Sequence, residues 1–225
     1  MLQQLDKSLW INEVPFKLIG INFGNRMTCI KLSDGSIWLH SPTKFEESTF
    51  KALGSIGNIR YLITPSLMHN LFVMDWKEKS EASQLLAPEK TKKVQSDIQL
   101  NENNAESITT MFNGEISCIP IKGMPVLQEY AFIHHASKTL ILTDLAFNFG
   151  KAVKGWAKLF IKLYGAYDKF GPTLTIRALI KNKDAFRESL NSILQHDFER
   201  IIVSHGNTIN ANGKEILKQA FSKYL

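Results

Sequence analysis

The chain has 225 residues, of which 44% are hydrophobic and 21% are charged. This composition is typical of a folded globular protein and excludes global disorder. The formal net charge is +6. Because this excess is modest and spread along the chain, it permits an anionic partner. It predicts no specific nucleic-acid partner, which would favour a clustered basic face.

The amino-terminal segment MLQQLDKSLWINEVPF has no apolar run of signal-peptide length. No stretch of the sequence approaches the roughly 18 apolar residues of a membrane span. We therefore expect a cytoplasmic location. Cys29 and Cys118 stand in apolar, strand-like surroundings without CxxC spacing, which favours two buried thiols over a redox or zinc site.

The predicted elements begin with strands. Residues 16–40 contain three apolar or aromatic runs separated by the turn pairs Gly24-Asn25 and Asp34-Gly35, a pattern that predicts a β-meander. Residues 89–113 are polar, and they predict a loop without a regular element.

The rest of the chain alternates between helices and strands. The predicted helices are 44–54, 66–78 (capped by Ser66), 182–196 (with Asn182 or Asp184 near its start) and 211–224 (capped by Asn212 or a neighbour). The predicted strands are 59–64, 83–88, 115–121 and 199–206, with a hairpin that turns at Ala136-Ser137. This order predicts a layered α/β sandwich rather than a doubly wound sheet. The sequence lacks the glycine-rich motifs of dinucleotide-binding and P-loop proteins.

Four polar residues stand at the carboxyl ends of apolar runs: His40 in SIWLHSP, His69 in TPSLMHN, Asp144 in LILTD and His205 in IVSHG. Ligands of layered α/β proteins usually bind beyond the carboxyl ends of strands, so we predict that these residues converge on a cleft. Each has a structural alternative. His40 could bond a neighbouring backbone group, His69 could be solvated on a helix, Asp144 could cap the next segment, and His205 could serve the turn at Gly206.

Residues 150–181 are rich in basic and aromatic side chains. Lysines recur at helical spacing and alternate with apolar residues, at Lys151, Val153, Lys154, Trp156, Lys158, Phe160, Lys162 and Leu163. This pattern predicts a basic amphipathic helix. Its apolar side could pack on the rest of the fold, or the helix could make weak contact with a membrane surface. As a lid over the cleft, the segment could bring a lysine or Arg177 to an anionic substrate.

These motifs, taken in order, resemble the skeleton of the metallo-β-lactamase-like superfamily. The segments IWLHSP, TPSLMHNLF, EYAFIHHASKTLILTDLAFNF and FERIIVSHG are most similar to a family of unknown function within it, whose metal-binding motif is eroded. The resemblance covers residues 18–225. It implies a four-layer αββα sandwich, with residues 1–225 as a single domain and residues 150–181 as a lid-like insertion.

The superfamily usually holds two metal ions, often zinc, with a His-x-His-x-Asp-His loop, a later histidine, a bridging aspartate and a final histidine. By this resemblance, Asp144 takes the bridging position and His205 the final one. The loop departs from the motif, because its four ligand positions are filled by Pro65, Leu67, His69 and Asn70. The later histidine is missing near Gly123-Met124, where Glu129 is the nearest carboxylate.

A hydrolytic zinc site needs three protein ligands and an open position. The resemblance therefore implies at most one metal ion, zinc or another divalent cation, bound by His69, Asp144 and His205. His40, Asn70 and Glu129 would support these ligands. The implied function is hydrolysis of a small-molecule substrate, which could be anionic. The alternative is a catalytically inactive binding or scaffold module of the same fold, with no metal.

Overall fold

The computed structural model describes residues 1–18, 20–91, 94–151 and 153–225. Residue 19 of the predicted meander and residue 152 of the predicted basic segment lie outside the described residues, as do residues 92 and 93. The strands are β1 (Leu2–Asp6), β2 (Leu9–Val14), β3 (Lys17–Leu18), β4 (Ile21–Asn22), β5 (Asn25–Lys31), β6 (Ile37–His40), β7 (Ile59–Ile63), β8 (Gln84–Pro88), β9 (Ile98–Leu100), β10 (Ile116–Pro120), β11 (Tyr130–His134), β12 (Thr139–Ile141), β13 (Phe147–Phe149), β14 (Lys169–Gly171) and β15 (Arg200–Ile202). The helices are α1 (Glu47–Gly54), α2 (Val73–Lys79), α3 (Ala105–Met111), α4 (Gly155–Leu163), α5 (Leu174–Leu179), α6 (Lys183–Gln195) and α7 (Gly213–Phe221).

Two sheets form the centre of the fold. The larger sheet has the strand order β1-β2-β5-β6-β7-β8-β9, and the smaller has the order β10-β11-β12-β15. In the larger sheet β6 to β9 run parallel, and in the smaller sheet β15 runs parallel to β12. Because parallel strands end at the same edge, β6 and β7 share one carboxyl-terminal edge, and β12 and β15 share another.

The two sheets pack face to face and are covered by helices on both outer sides. Trp38 of the larger sheet meets Phe132 of the smaller sheet in the buried space between them, with ring centroids 5.1 Å apart. On the outer face of the larger sheet, α1 and α2 bury apolar residues that include Trp76. On the outer face of the smaller sheet, α5, α6 and α7 bury residues that include Phe186 and Phe221. This packing removes the apolar face of each element from water, and it confirms the predicted four-layer αββα sandwich.

Several sequence predictions agree closely with the structure. The Asp34-Gly35 turn joins β5 to β6, and the predicted hairpin near Ala136 joins β11 to β12. The side chain of Asn182 caps α6, since its Oδ1 atom accepts hydrogen bonds from the backbone N–H groups of Asp184 and Ala185 at 3.1 Å. An asparagine at this position satisfies helix N–H groups that have no partner within the helix.

The predicted helix at 66–78 is wrong in its first half, because α2 begins only at Val73. The backbone N–H groups of the preceding loop are used elsewhere. The N–H of Leu67 donates to the carbonyl of Leu127 at 3.0 Å, and the N–H of Met68 donates to the Ser66 hydroxyl at 3.3 Å. Ser66 therefore stabilises a turn that carries His69, and it does not cap a helix.

Three other predictions need correction. Residues 89–113 contain β9 and α3, although their polar composition predicted a loop. The first run of the meander forms the separate small hairpin of β3 and β4, in which the Asn22 side chain accepts hydrogen bonds from the N–H groups of Phe16 and Gly24. Asn212 lies at the start of α7 with a left-handed φ of 57° but makes no side-chain cap.

The basic segment folds as predicted in part, since α4 begins at Gly155 rather than near Lys151. Strands β13 and β14 pair before and after α4. The inner side of α4 packs Ile161 and Phe160 against Phe149 and Phe23. Among the residues described, no helix is long and apolar enough to cross a membrane.

Candidate functional site

Three of the four predicted residues meet where the two sheets end. The Nε2 atom of His69 lies 3.3 Å from Oδ2 of Asp144, and Nε2 of His205 lies 3.5 Å from Oδ1 of the same carboxylate. One ligand atom from each of the three residues lies within 4.8 Å of the others. We refer to His69, Asp144 and His205 as the His–Asp–His cluster. Its side chains are between 8% and 12% exposed, so a ligand can still reach them.

Asp144 is positioned by Glu129. The two carboxylate oxygens of Glu129 accept hydrogen bonds from three consecutive backbone N–H groups, those of Thr143 at 2.7 Å, Asp144 at 3.0 Å and Leu145 at 2.8 Å. Burial, and then the charge of Asp144, raise the pKa of Glu129 above its usual value, although the N–H groups of Thr143 and Leu145 oppose this rise and favour the carboxylate form. With both oxygens engaged in this way, Glu129 fixes the loop after β12 and does not enter the cluster.

His69 is oriented by Ser41. The Ser41 hydroxyl oxygen lies 2.7 Å from Nδ1 of His69, so the opposite ring nitrogen points toward Asp144. Ser41 has a φ of 51°, a left-handed conformation that is unfavourable for residues other than glycine. Such strain persists only where surrounding contacts impose it, and it is common at functional sites. The backbone N–H of Ser41 makes one such contact, donating to the carbonyl of Ile63 at 2.9 Å.

His205 is oriented by a backbone carbonyl. Its Nδ1 atom lies 2.7 Å from the carbonyl oxygen of Gly24, and its ring stacks on Phe147 with centroids 5.4 Å apart and planes 9° apart. Because a carbonyl oxygen can only accept, Nδ1 of His205 must carry a proton. A neutral imidazole then directs the lone pair of Nε2 at the Asp144 carboxylate. The two groups repel each other unless a metal cation or a second proton lies between them.

The loop that carries His205 is held by Arg26. This side chain is buried, and its guanidinium group donates to the carbonyl oxygens of Val203 and Gly206, on either side of His205. Its Nε atom donates to the carboxylate of Glu13 at 2.7 Å. Gly206 has a φ of 90°, and a Cβ atom there would lie 2.3 Å from a backbone oxygen. The backbone around His205 is therefore fixed on both sides.

The electrostatics of the cluster favour a charged Asp144. Burial by itself raises the pKa of this carboxyl. The electrostatic attraction of His69 and His205 outweighs burial, so the pKa of Asp144 lies well below its usual value. The cluster therefore contains a carboxylate with two histidines directed at it, which is a ligand set that divalent cations favour.

The other predicted residues lie outside the cluster. His40 is 1% exposed and stacks on Trp38, and both of its ring nitrogens lack a hydrogen-bond partner in the described part of the chain. Burial, and then the charge of His69, lower the pKa of His40 to about 3, so its ring is neutral. The amide of Asn70 donates to the carbonyl of Leu67 at 2.9 Å and thus stabilises its own loop.

A cleft with two lobes opens at the cluster. The first lobe, of about 380 Å³, is lined by Asp144, His205 and many aromatic side chains. The second, of about 460 Å³, contains all three members of the cluster. The two lobes share the side chains of Phe16, Leu18, Met68 and Thr175. A separate cavity of about 490 Å³ near Tyr130 contains no member of the cluster.

The expected cation at the cleft is not found among the described lining residues, which include no lysine or arginine. Arg177 donates through Nε to the carbonyl of Pro172 at 3.2 Å. The ammonium groups of Lys158 and Lys162 lie over the ring of Tyr167, at 5.2 Å and 5.4 Å from its centroid. Helices α4 and α5 therefore give the cleft apolar walls and keep their basic groups outside it.

No protein-family model matches the sequence, and no curated protein matches it. Solved structures do match over nearly the whole chain. A metallo-β-lactamase from Pontibacter korlensis has a TM-score of 0.63 at 12% identity, covering 100% of this chain and 98% of its own. A metallo-β-lactamase from Hirschia baltica has a TM-score of 0.65 at 12% identity, covering 100% and 97%. The metallo-β-lactamase FIM-1 from Pseudomonas aeruginosa in its mono-zinc form has a TM-score of 0.66 at 8% identity, covering 99% and 95%. The chain therefore has the metallo-β-lactamase-like fold.

Proposed function

We propose that the protein is a hydrolase of small molecules that binds one divalent metal ion, zinc or a similar cation, at His69, Asp144 and His205. The observation that supports this proposal is the orientation of the two histidines. Each holds its Nδ1 atom on a fixed oxygen of the protein and directs Nε2 at the same carboxylate. Metal-binding histidines are usually oriented in this way, by a hydrogen bond from the other ring nitrogen.

The distances within the cluster also fit a metal. Ligand atoms that are about 2.0 to 2.2 Å from a tetrahedral zinc ion lie roughly 3.3 to 3.6 Å from one another. The two nitrogen–oxygen distances of 3.3 Å and 3.5 Å fall in this range, and they end at different oxygens of Asp144, so one ion between the histidines would use both carboxylate oxygens. A direct charge-assisted hydrogen bond would be shorter, at about 2.7 to 2.9 Å.

A zinc ion bound here supplies Lewis acidity and lowers the pKa of a water molecule toward 7. The chain contributes three ligands, and the cleft gives access to the remaining coordination position. Glu129, Ser41 and Arg26 hold the ligands in place, and the apolar cleft walls exclude water and strengthen the electrostatic interactions inside. FIM-1, one of the structural neighbours, is described in a mono-zinc form, which supports a site of one metal ion on this fold.

The second candidate is a binding or scaffold module without a metal. It is favoured by the altered loop, in which Pro65 and Leu67 replace two of the superfamily's histidine ligands. In this case a second proton on His205 replaces the metal, and an imidazolium ion pairs with Asp144.

Metal content and turnover distinguish the two candidates. We expect about one equivalent of zinc or another divalent metal in protein purified without chelator, and none in the Asp144→Asn and His205→Ala variants. The His135→Ala variant, which removes an exposed histidine outside the cluster, should keep the metal. We also expect turnover within a panel of esters, lactones, thioesters and phosphodiesters. Wild-type protein that contains no metal, and that turns over no member of the panel after zinc is added, would support the binding module instead.

We also propose weak contact between the outer face of α4 and an anionic membrane surface. Trp156, Leu159 and Leu163 on this face are 61%, 51% and 64% exposed, and Lys154 and Lys162 are close to them in the sequence. Such a basic amphipathic face suits anionic lipid. Vesicles of phosphatidylserine at low salt should sediment the wild-type protein more than a Lys154→Glu/Lys162→Glu variant. A Lys79→Glu/Lys223→Glu variant has the same net charge change elsewhere, and equal sedimentation of the two variants would contradict this contact.

A further inference from the structure

The first lobe of the cleft is built almost wholly from hydrocarbon. Its walls come from the β3–β4 hairpin, β13, α4 and α5, which lie far apart in the sequence. Its lining side chains include Phe23, Phe147, Phe149, Phe160, Ile176 and Leu179. Phe147 stacks on His205, so this apolar wall continues directly into the His–Asp–His cluster.

The polar groups of this lobe are few. Asp144 and His205 of the cluster line it, together with the hydroxyl-bearing residues Tyr164, Thr173 and Thr175. The hydroxyl of Thr173 accepts a hydrogen bond from the N–H of Ile176 at 3.2 Å and caps α5. A ligand with many polar groups would leave them without partners in this lobe, which is unfavourable. The lobe therefore fits a ligand with an apolar body and one polar end.

Apolar side chains also surround the opening of the cleft. Leu18, Met68, Leu71 and Leu174 are between 54% and 66% exposed. Three of them line a lobe, and Leu174 begins α5, which forms one wall. Clustered exposed apolar residues around a concave site indicate a ligand-binding surface.

We infer that this lobe holds the unbranched hydrocarbon chain of an acyl ester or thioester whose carbonyl group lies at the His–Asp–His cluster. The inference rests on the proposed function for its reaction, but not for the binding of the chain. In the hydrolysis, the oxygen of water forms a new bond to the acyl carbon, and the bond to the leaving oxygen or sulfur breaks. One proton of the water goes to the leaving group, and the other is released when the carboxylic acid ionises.

The lining of the lobe favours a hydrocarbon chain over a ring system that carries polar groups. It includes Asp144 and His205 of the cluster, Phe147 and Phe149 of β13, and Tyr164, the residue that follows α4. Its volume of about 380 Å³ lies within the range of small-molecule sites, which is roughly 300 to 1,000 Å³. Each added methylene group of a bound chain should therefore be removed from water until the lobe is full.

The binding step can be measured without metal. We would titrate hexanol, octanol and decanol into chelator-treated protein by isothermal titration calorimetry. The dissociation constant should fall about threefold to fourfold for each added methylene group. Thr175, an exposed residue of α5 that lines both lobes, offers a substitution that need not disturb folding. We expect Thr175→Asp to weaken decanol binding at least about tenfold, because the carboxylate would lie against the chain.

A matched control is Ser48→Asp. Ser48 is exposed and is the second residue of α1, as Thr175 is of α5, and it does not line the cleft. This variant should bind decanol as the wild type does. Affinity that does not depend on chain length, equal decanol binding by the two variants, or tighter binding of naphthol than of decanol would each overturn the inference.

Turnover separates this inference from the proposed function. With metal restored, the kcat/KM for p-nitrophenyl decanoate should exceed that for the acetate in the wild type, and Thr175→Asp should reduce this preference. If the alcohols bind as expected but no ester is hydrolysed, the cleft binds chains and the proposed hydrolase function fails. If the acetate is hydrolysed with metal but neither alcohols nor esters show a chain-length dependence, the hydrolase function holds and this inference fails.

Discussion

The imidazole of His205 is held by the carbonyl oxygen of Gly24, at 2.7 Å, across 181 residues of sequence. The bond joins the loop before β5 in the larger sheet to the loop after β15 in the smaller sheet. It fixes which ring nitrogen carries the proton, and it therefore determines that Nε2 faces Asp144. The site thus depends on the packing of the two sheets as much as on its own three residues.

Replacing Arg26 should weaken this packing. An Arg26→Met variant loses the hydrogen bonds to the carbonyl oxygens of Val203 and Gly206 and leaves buried acceptors without partners. We expect the free energy of unfolding to fall by about 2 to 4 kcal/mol, measured by urea denaturation. Arg187→Met provides the control, because Arg187 is an exposed residue paired with Asp184 on the same helix. Equal effects of the two substitutions would contradict the role of Arg26.

Two substitutions at Ser41 distinguish the effect of its backbone strain from the effect of its hydrogen bond to His69. Ser41→Ala loses the hydroxyl on His69 but keeps the left-handed φ, whereas Ser41→Gly loses the hydroxyl and relieves the strain. Both variants should bind metal about 10- to 100-fold more weakly than the wild type. The glycine variant should be more stable to urea than the alanine variant by about 1 kcal/mol. Unchanged metal affinity in both variants would show that Ser41 does not orient His69.

The sequence predicted the general position of the site because His69, Asp144 and His205 all lie beyond the ends of strands, where loops form a cleft. His40 differs because it is still part of β6. Alternate residues of a strand face the same way, so His40 shares the face of Trp38 and points between the sheets. This spacing of two residues is visible in the sequence, and it would have excluded His40 from the cleft.

Other features had no local signal. Gly24 acts through its carbonyl oxygen, a group that every residue has, and Arg26 reaches Val203 only after the two sheets have packed. The strand β1, with the sequence LQQLD, lies at the edge of its sheet. Edge strands carry polar residues and a weak apolar pattern, so the amino-terminal hairpin was missed. Such features depend on contacts between residues that are distant in sequence, and local sequence patterns do not predict these contacts.

Glu129 should be required for stability as well as for the site. The carboxylate of Glu129 accepts hydrogen bonds from three backbone N–H groups. In a Glu129→Gln variant the amide nitrogen is a donor, so at least one of these N–H groups would lose its acceptor. We expect a loss of about 1 to 3 kcal/mol in the free energy of unfolding, together with weaker metal binding. Glu106→Gln, at an exposed position of α3, should have little effect. Equal stability of the two variants would refute the positioning role of Glu129.

The stability of the fold should decrease in acid because of His134, which lies on β11 at the opposite end of the strand from Glu129. Burial is the main cause that lowers the pKa of His134 from 6.5 to about 4, against the opposing charges of Glu115 and Asp6. The unfolded chain therefore takes up a proton at this residue at a higher pH than the folded chain does. The contribution of His134 to the free energy of unfolding is therefore fully present above about pH 6.5. It decreases by about 3 kcal/mol in total as the pH falls to 4.

A His134→Asn variant isolates this effect. In the wild type, Nδ1 of His134 lies 2.7 Å from the Ser137 hydroxyl oxygen, whose proton is directed to Thr139. Nδ1 is therefore the donor, and an asparagine amide can replace it as a donor without titrating. The free energy of unfolding, measured by urea denaturation between about pH 5 and pH 7, should depend less on pH in the variant than in the wild type. His40 is present in both proteins, so its own lowered pKa cancels in the comparison. Parallel pH curves for the two proteins would mean that His134 accepts a proton in the folded state as readily as in the unfolded chain.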